Sequence, residues 1–131
     1  MEEGPIVNHA GDPTSPYYIH PNDNHGDILV SHILVGDNYH AWSRAMIFAL
    51  KTKNKLQFIN GTLSKPHPNG ALIALWRRCD ALILSWISNS LHKHFLLNNV
   101  LWQVTSSELW KYLKDRYYQG DRSFSYMHAC M

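Results

Sequence analysis

The sequence predicts an all-α protein, a small bundle of about four helices behind an extended, partly disordered N-terminal arm. Three observations carry this. Two segments set apolar residues at helical spacing, a third opens with a helix-capping signature, and the short β-branched run near the start has no obvious partner strand.

Residues 1–27 read as a flexible acidic arm. Pro5, Pro13, Pro16 and Pro21 break any helix there, and Asn, Asp, Gly and His fill the gaps. Within it Tyr17, Tyr18 and Ile19 of "PYYIHPNDN" can dock on a core. "DILVSHILV", residues 27–35, reads as one strand or an extended segment. The helical domain spans 28–120, and 121–131 is a divergent tail. The first helix starts at Asp37 or Asn38, either of which can cap free N–H groups. Trp42, Ala45, Met46, Ala49 and Leu50 then share a face, and Tyr39 and Trp42 are expected to wedge it against the second helix. Lys51, Lys53 and Lys55 cluster toward the C-terminal end, which suits the helix dipole. Asn60-Gly61 marks a turn, and Pro66 and Pro68 end any helix in the connector.

The second helix lies within Ala71–Leu91. Leu72, Leu75, Trp76, Cys79, Leu82, Ile83, Trp86 and Ile87 form its stripe, with Arg77, Arg78 and Asp80 on the other face. "HKHFLLNNV" predicts a short third helix with Phe95, Leu96 and Val100 turned inward. The fourth begins with a capping box, Thr105 and Glu108, continues through Leu109, Trp110, Leu113, Arg116 and Tyr117, and ends at Gly120. Burying one tryptophan stabilises by about 2–3 kcal/mol. Tyr39, Trp42, Met46, Trp76, Cys79, Trp86, Leu109, Trp110 and Leu113 are therefore read as structural core.

The 131 residues suffice for one core, 45% of them hydrophobic. No apolar run reaches membrane-spanning length, and "MEEGPIVNHA" lacks the basic and apolar regions of a secretory signal. The expectation is an intracellular, cytoplasmic protein. A net charge of +2 hides an asymmetry: residues 1–43 hold six acids and no Lys or Arg, and the remainder holds all twelve basic residues and four acids. Lys51, Lys53, Lys55, Arg77, Arg78, Lys111 and Lys114 are candidate contacts for a phosphate backbone, with Arg116 beside them. The aromatics fall mostly on apolar stripes, so any RNA binding is expected to be weak and nonspecific.

No enzyme is indicated. His92 and His94, at i, i+2, point to different sides of a helix and have no Cys or carboxylate cluster beside them, which argues against a metal. Cys79 and Cys130 form no CxxC. No GxSxG, GxxxxGK[ST] or GxGxxG occurs, so no catalytic residue, cofactor, metal or small-molecule substrate is expected.

"SPYYIHPNDNHG" followed by "GDNYHAWSRAMIFALKTKNKLQFINGTLSKP" resembles the N-terminal Gag domain of plant copia-type LTR retrotransposons. "WRRCDALILSWISNSL" and "SSELWKYLKDRYYQG" resemble two later helices of that family, and the likeness runs in order over about residues 15–120. His25 stands where the family often has Pro, and Val35 where it usually has Asn. The resemblance implies a capsid-like helical fold and self-association, with copies of this chain or related Gag chains as partners. Family members continue to a CCHC zinc knuckle. The expectation is a truncated chain without that element and without a membrane partner.

Overall fold

The computed structural model of the chain describes residues 9–93 and 104–118. They hold three α-helices: α1, Tyr39–Thr52; α2, Ile73–Ser88; and α3, Ser106–Leu113. A 3-10 turn, Leu56–Phe58, follows α1, and a π-helical turn, Lys114–Tyr118, continues α3. The architecture is all-α, with no strand among the described residues. Residues 27–35, expected as one strand or an extended segment, bend at Leu29, Ser31 and His32 and make one isolated bridge at Leu34, whose N–H donates to the Ser90 carbonyl at 2.9 Å. The predicted third helix falls almost wholly outside the described residues, as do Gly120 and the tail.

Asn38 occupies the N-cap position of α1, but its side chain does not close the first turn. Its Oδ1 accepts from the Val35 N–H and its Nδ2 donates to the Ile33 carbonyl, both at 2.9 Å. The side chain thus clamps the incoming chain and is not available to the helix. Tyr39, Trp42, Ser43, Met46 and Leu50 are buried, whereas Ala45 is exposed and Ala49 half-buried. The buried stripe is therefore turned toward Ser43 relative to the face that sequence spacing predicts. Two ring stacks set this rotation. Tyr39 stacks on Tyr117 with centroids 6.4 Å apart, and Trp42 on Trp110 at 5.6 Å. Both rings meet the third helix and its extension, where the sequence predicts a wedge against the second. The Trp42 indole N–H donates to Ser90 Oγ at 3.1 Å, just past α2.

α2 buries Trp76, Cys79, Asp80, Ile83, Trp86 and Ile87 and exposes Arg77 and Arg78. Asp80 corrects the sequence reading, which sets it on the solvent face. It is drawn inward by Ser106, whose N–H and Oγ–H both donate to Asp80 Oδ1, at 3.0 and 2.6 Å. α3 carries its capping box: the Glu108 N–H donates to Thr105 Oγ1 at 3.1 Å, and the Thr105 N–H donates to Glu108 Oε1 at 2.9 Å. Leu109 and Leu113 are buried and Trp110 is partly so.

The described part of the arm, residues 9–27, forms turns that pack on the helices. Tyr17 is buried with its ring edge-on to Phe58, and its carbonyl accepts the Cys79 thiol at 3.4 Å. The Trp86 indole N–H donates to the Asn24 carbonyl at 2.9 Å, and Asn89 Nδ2 donates to the carbonyls of His25 and Asp27. Prolines deny this stretch a helix, so its carbonyls lack helical partners and accept side-chain donors from the helices behind. Residues 15–27 act as a strap, and more of the arm is anchored than "PYYIHPNDN" alone indicates.

Trp42→Ala is expected to cost about 3–5 kcal/mol, a large share of a typical stability of about 5–15 kcal/mol. Trp42→Phe, which keeps a ring on Trp110, should cost less. Urea unfolding of the two variants measures the difference.

Candidate functional site

Two concave sites are formed by the described residues. An open groove of about 440 Å³ is lined by Ile33, Ser88, Asn89, Leu91, His92 and Lys93, and a small cavity of about 50 Å³ by Ala10, Tyr17, Ile19, Leu75 and Arg78. Neither brings together an acid, a base and a nucleophile. Among the described residues no three His, Cys, Asp or Glu side chains stand close enough to hold a metal; His94 lies outside them. Cys79 is fully buried, and burial pushes its thiol above the ordinary value, so it packs as a thiol and not as a reactive thiolate.

The candidate phosphate contacts separate into two groups. Lys55 is only 1% exposed, with its ammonium donating to the Tyr18 carbonyl at 2.5 Å. Burial lowers its pKa, and Lys53 opposes its charge while Cys79 and Asp23 favour it. Lys53 pairs with Asp23 at 2.8 Å and lies 5.0 Å over the Trp86 ring. These two hold the strap and are not surface cations. Lys51, Arg77, Arg78, Lys111 and Lys114 are exposed, Lys111 beside Asp115 at 3.1 Å.

Sequence spacing understates Arg116 and misses Arg44. Arg116 Nη1 donates to the Tyr112 hydroxyl at 3.1 Å, and its guanidinium lies 5.5 Å over the Tyr117 ring. Tyr112 and Tyr118 are both exposed, and the Tyr118 ring meets His40 edge-on at 5.5 Å. The i, i+4 spacing of Tyr112 and Arg116 is a readable signal for this cluster. Arg44 belongs to another surface. With Trp42 and Met46 inward, Arg44, Ile47, Phe48 and Lys51 line the outside of α1 at i, i+3, i+4 and i+7, all exposed. Phe48 stands 72% exposed. Further exposed apolar side chains, Ile28, Ile33 and Val35, lie on the bent segment before α1.

Fold and surfaces together define a small all-α domain whose exposed chemistry lies on helix faces and on the segment before α1. Residues 20–67 match the model of the family described as Gag-polypeptide of LTR copia-type. The match covers the end of the strap, α1 and the Asn60-Gly61 turn; α2 and α3 lie beyond it. No curated protein and no solved structure matches the chain.

The buried Asp80 is the charge on which the placement of α3 turns. Burial raises its pKa, and the two hydrogen bonds from Ser106 oppose that shift. Folded protein therefore takes up this proton more readily than unfolded protein, and stability rises as pH falls from the raised folded value toward the unfolded one near 3.8. Asp80→Asn keeps an acceptor without the charge. It should match or exceed the native stability at neutral pH and lose that advantage in acid. Asp80→Ala strands the Ser106 N–H and should cost about 1–3 kcal/mol. Urea midpoints of the three proteins at neutral and acidic pH test both statements.

Proposed function

We propose that the chain acts as a Gag structural unit by association between its own copies through exposed faces. The observation that carries this is α1. One side of the helix is core, and the other presents Phe48 and Ile47 to solvent. A helix that is apolar on two sides has a second surface to bury, and an exposed patch of that kind marks a contact site. The matching family supports the reading, because Gag domains are structural. Light scattering after size exclusion should show a mass that climbs with protein concentration. A mass fixed at one chain over the whole concentration range rejects self-association.

A second reading, weak RNA binding, is favoured by the cluster on the π-helical turn. The exposed Tyr112 and Tyr118 rings beside Arg116 offer stacking surfaces with a cation for phosphate. Lys53 and Lys55 play no part in it, since both hold the strap. Arg116→Ala and Tyr118→Ala should each weaken binding of a single-stranded oligonucleotide, and native binding should fall steeply with salt. Binding that ignores salt, or ignores both substitutions, rejects this reading.

A further inference from the structure

We infer that the outer face of α1 docks on the segment before α1 of the next copy, residues 27–37, a head-to-tail contact between two different surfaces. The inference rests on the self-association proposed above and names the surfaces that meet.

The two surfaces are each apolar at the centre and differ in the charge around it. The α1 face is an apolar pair, Ile47 and Phe48, bracketed one turn away on each side by the cations Arg44 and Lys51. The receiving segment presents Ile28 and Val35, each 60% exposed, with Ile33 between them. Asp27 and Asp37 flank it. Residues 1–43 contribute no Lys or Arg to this edge, and the groove beside Ile33 brings Lys93 to it. Leu34 and Val30 are buried and Leu34 is bonded to Ser90, so the bent segment is anchored on both sides of its turn while Ile33 and Val35 stay exposed.

Pairing the α1 face with itself is disfavoured, because each copy would set Arg44 and Lys51 against the same two cations. Pairing it with the acidic-rimmed segment joins opposite charges around an apolar centre. The segment and the α1 face are different parts of one surface, so the contact is heterologous. Each copy keeps one unused surface after pairing, and addition continues into a ring or an open array.

The test uses four full-length chains: native, Phe48→Glu, Val35→Lys, and the double substitution. Both positions are exposed, and circular dichroism with urea unfolding checks that the fold is kept. Phe48→Glu sets an acid against Asp37 of the neighbour, and Val35→Lys sets a cation against Arg44 and Lys51. Each single change should weaken association by about tenfold or more, the ratio that corresponds to 1.4 kcal/mol. The double substitution should recover most of the loss, because the carboxylate introduced on α1 of one copy then faces the ammonium introduced on the segment of the next. Association that persists unchanged in both single variants overturns this contact and leaves self-association standing. So does a double variant that stays as weak as the singles, and so does a Val35→Lys variant that associates like the native chain while Phe48→Glu does not, the result expected if α1 pairs with itself. A native chain that never exceeds one copy overturns both. Loss of binding to phosphatidylserine vesicles in Phe48→Glu, with association unchanged, assigns the face to a lipid surface and overturns the contact.

Discussion

The Trp42 indole is the contact on which the rest of this structure depends. One side chain on α1 stacks on Trp110 of α3 and donates to Ser90 at the end of α2, so it joins all three helical segments while buried. Large rings leave little rotational freedom to the helix that carries them. Once Trp42 and Met46 point inward, the 100° advance per residue sends Arg44, Ile47, Phe48 and Lys51 outward. The interior thus decides the exterior: the stack that seals the core also displays the apolar pair on the far side of α1.

Two buried charged groups organise what the tryptophan does not reach. Asp80 holds the first residue of α3 through Ser106, and the Thr105–Glu108 capping box satisfies the same helix start from the other side. Lys55 holds the strap through the Tyr18 carbonyl, and Lys53 pins it again through Asp23. Each burial has a desolvation cost that is offset by hydrogen bonds of defined direction. The consequence is positional: α3 and the strap have one way to sit. The segregation of acids in the first third of the chain from bases in the rest is partly used within the fold, at Asp23–Lys53. What remains on the surface is opposite charge on separate faces, an arrangement suited to contacts between copies.

Much of this was legible in the residues. The periodicity of α2, the capping box at Thr105 and the Asn60-Gly61 turn were readable because each is a local effect, settled within four residues of chain. The core tryptophans Trp42, Trp76 and Trp86 were readable because rings that large have few stable places outside a core. The likeness to copia-type Gag was readable from spaced motifs over about residues 15–120, and within them residues 20–67 match that family's model. What the residues could not show was the use of their polar groups. Asp80, Lys53 and Lys55 look like solvated charges in any local window. Their partners lie 26, 30 and 37 residues away in sequence. Asn38 looks like a helix cap and is spent on Ile33 and Val35 instead.

The sequence by itself determined that the chain is helical, where its helices start and turn, which large side chains fill the core, and which family its N-terminal half resembles. These follow from short-range backbone sterics, helical spacing and hydrophobicity, all of which act along the chain. Only the tertiary structure decided how far α1 is rotated, that the strap lies on the helices, that three ionisable groups turn inward, and that Phe48 and Val35 remain in solvent. Those outcomes depend on which distant donor finds which carbonyl and which ring stacks on which, and such pairings exist only once the segments meet in space.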